Sequence, residues 1–289
     1  MKDIRIAVAC MHSEVGDIDR NLEQTEKFVA EASRRGARIV CFPELSLTGY
    51  ALRDPQRAVG GYAQEEIVER VGSLARQKGI AILAGSVEFS GAEGPYISQV
   101  VAGPEGVIGV YRKTHLSAPE KESYLPGTRM EILDAVGVRF GLQLCYEAHF
   151  PEISTSLALR GAEAIFMPHA SPQGEPGEKV KSWMRHLPAR AFDNSLFVAA
   201  CNQVGVTEEG YSFPGAALVL DPGGHVLAGY AGWEQKLVVA DLRGEELEGI
   251  RKHRMKYFLP NRRPELYTDL MQGAGRPGGH PRTAPPKSP

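Results

Sequence analysis

The sequence predicts an α/β protein in which sheets are layered with helices, and three observations carry that expectation. Strand-like and helix-like segments alternate for most of the 289 residues, a pattern that neither a helix bundle nor an all-strand sandwich produces. Strands outnumber helices. They are joined both by helical crossovers and by tight hairpins, which points away from one simple parallel sheet. No repeat of fixed period runs through the chain.

Taken in order, IRIAVACM (residues 4–11) reads as a buried strand. Residues 18–36 set Leu22, Phe28 and Val29 among charges and stop at Gly36, which predicts an amphipathic helix. ARIVCFPE is a strand ending at Pro43, and residues 64–78 form a second helix ended by Gly79. IAILAGSVEF, YISQVVAG and GVIGVYRK are three strands separated by Gly/Pro turns. The second half alternates in the same way, with strand VRFGLQLC, helix 151–160, strand EAIFMP, helix 178–193 and strand LFVAACNQ. GAALVLDPGGHVLAG is a hairpin around Asp221-Pro222-Gly223-Gly224, followed by strand KLVVADL and a charged helix over 243–255. Half of residues 272–289 are Gly or Pro with no apolar period, so a flexible tail is expected after one domain spanning 1–271.

Composition narrows the class. Apolar content of 43% and charge of 24% can support a sizeable core. A net charge of −2, with no basic cluster interleaved with aromatics, argues against nucleic acid or an anionic membrane as partner. No run approaches a membrane span, and MKDIRIAVAC lacks the apolar core of a secretion signal. Cys10, Cys41, Cys145 and Cys201 show no Cys-x-x-Cys spacing, which fits free thiols in a reducing compartment, and a cytoplasmic protein is expected. No paired-histidine metal spacing and no Gly-rich phosphate loop occurs, so neither metal nor cofactor is expected.

Three segments share a design in which an apolar strand ends and a reactive residue stands at the exit. They are IVCFPELSLTGY with Glu44, GVIGVYRKTHL with Lys113, and RFGLQLCYEAHFPE with Cys145. Each residue alone has an ordinary explanation, as a loop carboxylate, a solvated strand-end charge and a core thiol. In α/β proteins, however, strand ends line the ligand crevice, so three such exits can converge.

In these segments the chain resembles the nitrilase, or carbon–nitrogen hydrolase, superfamily over about residues 4–260. FPELSLTGY, YRKTHL and CYEAHFPE stand in the family's order, supported by RGAEAIFMPHAS, ARAFDNSLFVAACNQVG and LVLDPGG. Glu120 in PEKESYLPG has the spacing of an auxiliary glutamate found in several branches. The resemblance implies a four-layer α-β-β-α sandwich with two mixed sheets. It also implies a homodimer, or a higher homo-oligomer, joined through helices at 150–161 and 178–193.

The chemistry asks for these residue types independently. Amide carbonyls are poor electrophiles, so a thiolate-level nucleophile helps, and a free thiol is only slightly ionised near neutral pH. Glu44 can take the Cys145 proton and return one to departing ammonia. Lys113 and the backbone N–H of Tyr146 can hold the oxyanion. Glu44 and Glu120 on either side would keep Lys113 charged, and Glu120 can orient the hydrolytic water. His149, one turn after Cys145, is placed at the border of the substrate pocket and not as a catalytic base. Tyr50, Tyr146, His169 and Asn202 are further expected wall residues. Loops 50–62, 114–125, 171–178 and 206–214 are expected to set pocket volume. The expected reaction is hydrolysis of a small linear amide or carbamoyl compound through a cysteine thioester. The alternatives are a true nitrilase acting on C≡N and an inert binding protein. Tyr146, where the family's nitrilase branch usually has Trp, favours the amide.

Overall fold

The computed structural model describes residues 1–90 and 94–271, so the expected tail at 272–289 lies outside the described residues. Strand β1 (Ile4–Cys10) shows why the chain needs several layers. Ile6, Val8 and Cys10 enter one core while Ala7 and Ala9 enter another, as the two-residue period of a strand requires. There follow α1 (Ile18–Arg34), β2 (Ile39–Cys41), α2 (Pro55–Ala58), α3 (Gln64–Lys78), β3 (Ala81–Phe89), β4 (Pro95–Gly103) and β5 (Gly106–Arg112). The second half contributes β6 (Leu133–Ala135), β7 (Val138–Leu142), α4 (Pro151–Leu159), β8 (Ala164–His169), α5 (Pro176–Trp183), α6 (Leu187–Asn194) and β9 (Phe197–Asn202). The chain continues through a short ribbon, β10 (Gly205–Val206) and β11 (Ser212–Phe213), then β12 (Gly215–Leu220), β13 (Val226–Gly232), β14 (Lys236–Leu242) and α7 (Gly244–Lys252).

Two six-stranded sheets result, ordered β14-β1-β2-β3-β4-β5 and β13-β12-β9-β8-β7-β6. Both are mixed, with parallel centres (β1, β2 and β3; β7, β8 and β9) and antiparallel flanks. Ile6, Val8 and Leu83 of the first sheet share a core with Phe140, Phe166 and Phe197 of the second. On the outer side of the first sheet, Val40 and Ile82 pack with Phe28 and Val29 of α1 and Ile67 and Val71 of α3. Outside the second, Ile165 and Val198 pack with Leu157, Trp183 and Leu187. The layers are therefore helix, sheet, sheet, helix.

Most elements fall where periodicity places them. Helix α3 ends at Gly79 in the left-handed conformation (φ 63°), whose N–H closes on the carbonyls of Ala75 and Arg76. Asp221 accepts the N–H groups of Gly223 and His225 at 2.8 and 2.9 Å, making the hairpin turn. The expected helix 178–193 is instead two helices. Pro188 lacks an N–H, and its ring would clash with the carbonyl of Met184 in a continuous helix. The chain therefore tightens at Met184–His186 and restarts with Pro188 in the first turn of α6. Helix α7 stops at Lys252, three residues short of the expectation. The small elements β6, α2 and the β10–β11 ribbon carry too few residues for a period to be visible.

Candidate active site

Strand β3 is parallel to β2, and β4 and β5 each reverse direction, so β2 and β5 finish at the same end of the first sheet. The parallel strands β7 and β8 finish facing them from the second. Glu44 follows β2, Lys113 follows β5, Cys145 follows β7 and Ala170 follows β8, so one crevice collects all four exits.

Glu44 is 1% exposed and held by its surroundings rather than by a helix cap. Its backbone carbonyl accepts from Gln203 Nε2 at 2.8 Å, and its Oε2 accepts the Ala170 N–H at 3.1 Å. The loop that carries it lies against β3, with Ser46 Oγ and Thr48 Oγ1 accepting the N–H groups of Gly85 and Val87 at 3.0 Å each. Gly85 permits that contact, because a Cβ there would fall 2.7 Å from the Pro43 carbonyl oxygen and 2.8 Å from the Glu44 carbonyl carbon.

Lys113 is wholly buried, and Nζ donates to Glu44 Oε1 at 2.8 Å and Glu120 Oε1 at 2.6 Å. The second oxygen of Glu120 accepts the Ser117 N–H at 2.7 Å. Burial alone would lower the Lys113 pKa, but the charges of Glu44, Cys145 and Glu120 outweigh it and raise it, so the ammonium stays charged. Two of its three N–H groups are committed to carboxylates, which leaves one donor for another oxygen. Glu44 is pushed up to about 7, first by burial, against the Lys113 charge and with the help of Glu120. The Cys145 thiol is pushed far up by burial and by the neighbouring Glu44. At neutral pH the resting pair is therefore a thiol beside a carboxylate whose hold on a proton burial has strengthened.

Cys145 has φ 42°, in the left-handed region that a side chain makes costly by about 1–3 kcal/mol. That bend ends the strand path and starts a 3-10 turn over Cys145–His149, whose first N–H groups have no partner within the turn. The anchor is Glu147, wholly buried, which the sequence pattern did not single out. It accepts from Tyr111 Oη (2.9 Å), Thr114 N (2.7 Å), Thr114 Oγ1 (2.6 Å) and Leu144 N (2.7 Å). One carboxylate thus ties the stretch after Lys113 to the residue before Cys145. Gln143 clamps the turn from below through the carbonyls of Glu147 and Phe150. A glutamate three residues after a capping Ser or Thr is a helix-start signal, but apolar Leu144 in the capping position hides it.

The thiol opens on a cavity of about 230 Å³ that Tyr50, Glu120, Tyr146, His149 and His169 also line. Tyr50 is fixed edge-on by Tyr211 and Phe213, each with ring centres 5.2 Å away. Loop 206–214 therefore shapes the cavity through Tyr50 without lining it. His169 lies against Trp183 at 4.4 Å, bonds Met167 O through Nδ1 at 2.7 Å, and is pushed down to about 3 by burial, so it is neutral. His149 stacks on His186 at 4.6 Å, and both imidazoles are lowered by burial. The structure does not bring Asn202 to the cavity wall. Its amide accepts the Ser171 N–H and donates to the Ser171 and Pro214 carbonyls, so it holds loop 171–174 from behind. Lys179 and Ser182 of α5 and His186 at the break after it, none of them singled out in the sequence, also line the cavity.

Comparison with known proteins agrees with this geometry. Residues 5–252 match the family model for carbon–nitrogen hydrolases. A nitrilase of Pyrococcus abyssi is 32% identical over 270 residues, covering 91% of this chain and 99% of its own. An (R)-stereoselective amidase of Pseudomonas sp. is 31% identical over 243 residues, covering 82% and 84%. A solved structure of a mutant amidase from Nesterenkonia sp. AN1 carries the acetamide moiety of fluoroacetamide on its active-site cysteine. It aligns with a TM-score of 0.78 at 28% identity, covering 92% of this chain and 96% of that one. With two mixed sheets whose strand ends gather a glutamate, a lysine and a cysteine, the chain belongs to the carbon–nitrogen hydrolase family.

Proposed function

We propose that the protein hydrolyses the C–N bond of a small linear carboxamide or carbamoyl compound, with Cys145 as nucleophile, and releases ammonia. The observation that carries this reading is the convergence of three strand exits, which sets the bonded Glu44–Lys113 pair within electrostatic reach of Cys145, the thiol that lines the small cavity. Glu44 takes the thiol proton as sulfur attacks the carbonyl carbon. The third N–H of Lys113 and the Tyr146 N–H hold the oxyanion. Glu44 then delivers its proton to the departing nitrogen, leaving a thioester. Water placed by Glu120 and deprotonated by Glu44 releases the acid and restores the thiol. One such oxyanion donor contributes about 2.7–4 kcal/mol to the transition state. Residues 1–271 act in this reading as one catalytic unit.

The test measures ammonia from a panel of linear carboxamides, carbamoyl amines and nitriles. Turnover on amides or carbamoyl compounds, with an acyl adduct assigned by mass spectrometry to Cys145, is expected. Turnover on nitriles alone replaces the reading with a true nitrilase, and an adduct on Cys10, Cys41 or Cys201 removes the nucleophile assignment.

Glu44 also sets a pH dependence. Its carboxylate is the working form, and its pKa lies near 7, so kcat/KM is expected to rise with unit slope to about pH 7 and then level off. The same shift acts on stability with the opposite sign. The folded state holds this proton up to about pH 7, whereas the unfolded chain releases it near 4.5, so Glu44's contribution to stability falls between those values. A limb near 4.5 in the rate profile would remove Glu44 as the base.

We further propose a homodimer joined through α4 and the α5–α6 region. Leu159, Met184 and Phe192 stand exposed there, with Phe192 against Phe258 at 5.4 Å. A cytoplasmic location fits the four free thiols. No helix among the described residues is long and apolar enough to cross a membrane.

A further inference from the structure

Glu147 is wholly buried two residues after Cys145, and the groups that donate to it are neutral. Burying a carboxylate is costly unless hydrogen bonds replace its water, and here they do. Its two oxygens serve different segments. Oε1 accepts the Thr114 N–H at 2.7 Å, the Thr114 hydroxyl at 2.6 Å and the His115 N–H at 3.3 Å, from the two residues that follow Lys113. Oε2 accepts the Leu144 N–H at 2.7 Å, from the residue that precedes Cys145. Tyr111 Oη reaches both oxygens, at 2.9 and 3.0 Å, from the face of β5 that also carries Lys113. His115 adds a second tie, its ring centre 4.4 Å from that of Phe150, where the turn after Cys145 ends.

The oxygens of one carboxylate are a fixed distance apart. The backbone beside Lys113 and the backbone beside Cys145 are therefore held at a set spacing, although β5 belongs to the first sheet and β7 to the second. We infer that Glu147 is a positioning residue, which sets the Lys113 ammonium, as oxyanion donor, against the Cys145 sulfur. This rests on the amide hydrolysis proposed above. Glu147 is not among the residues that line the cavity, so it acts through Thr114 and Leu144. The third N–H of Lys113 has to meet the carbonyl oxygen while the sulfur meets the carbon of the same group. A misplacement of about 1 Å between such groups costs about 100-fold in rate. Glutamine cannot take over this role. It presents one oxygen and one NH2, and because both segments donate N–H groups, one of them always meets a donor in place of an acceptor.

The experiment assays wild type, Glu147→Gln and Glu147→Asp, each below its melting transition, with two probes. One is the linear carboxamide of the panel that wild type turns over fastest. The other is methyl methanethiosulfonate, which the sulfur attacks to form a methyl disulfide and expel methanesulfinate, with no oxyanion to hold. Mass spectrometry assigns that adduct to Cys145. For Glu147→Gln the expected result is a kcat about 100-fold below wild type, with KM and the thiol-exchange rate each within about 3-fold. Aspartate keeps both acceptors but sets them back by one methylene, so the same pattern is expected at about 10-fold, and this variant carries the test if the glutamine variant does not fold. An equal fall in kcat and in thiol exchange overturns the inference and makes Glu147 a support of the Cys145 turn alone. A loss confined to KM, or a kcat within about 3-fold of wild type in both variants, also overturns it while leaving amide hydrolysis standing. A wild type that exchanges its thiol but turns over no member of the panel overturns both readings together.

Discussion

Cys145→Ala is expected to lower turnover by about 10⁶-fold, the loss typical of removing a nucleophile that acts as one unit with its base. Ammonia release measured at substrate saturation checks it, and residual turnover within about 100-fold of wild type would exclude Cys145 as the nucleophile. The variant should fold as wild type does, because it loses one polar atom facing a cavity. A companion variant reads the backbone. Alanine keeps the left-handed penalty at φ 42°, whereas glycine removes it. Cys145→Gly is therefore expected to melt at or above Cys145→Ala, the reverse of the order those residues show in ordinary backbone.

Lys113→Met should damage both turnover and the fold. The exchange leaves Glu44 and Glu120 facing each other in a buried space without the cation that bonds both at 2.8 and 2.6 Å. Breaking a buried ion pair in this way costs about 3–5 kcal/mol. Losing an oxyanion donor lowers kcat about 10²- to 10³-fold. The stability deficit carries a pH signature. Without Lys113 the two carboxylates cannot both ionise, so their folded-state pKa values rise above the unfolded value of about 4.3. Groups shifted in that direction favour the folded state less as pH rises. Thermal melts should therefore show a smaller deficit against wild type at pH 5 than at pH 8. Equal deficits at the two values would mean the carboxylates do not interact through this lysine.

The strand exits were legible because each reactive residue directly follows a dense apolar run, and convergence follows from strand direction. Helix α3 could be read to the residue because Gly79 marks its end. Other parts were hidden for physical reasons. The α5–α6 break rests on one proline inside an otherwise helical pattern, and nothing in that pattern singles out Lys179 or His186. Glu147 carries no periodic signal, and its role appears only once Tyr111, Thr114 and Leu144 are brought around it. Asn202 looked like a wall residue because it ends a strand, but tertiary contacts give all its hydrogen bonds to backbone.

The first sheet gains one of its edges from its last-made strand. Strand β14 pairs with β1 along seven residues, from Ile4 against Leu242 to Cys10 against Lys236, although almost the whole chain separates them. During synthesis, β1 to β5 leave the ribosome first and present an unpaired hydrophobic edge until residue 242 follows. At about 5–20 residues per second, that interval after β5 is on the order of ten seconds. An open apolar edge of this kind recruits other chains. A growing polypeptide of this design is therefore exposed to self-association during that interval, and a chain stopped before β14 lacks the strand that covers β1.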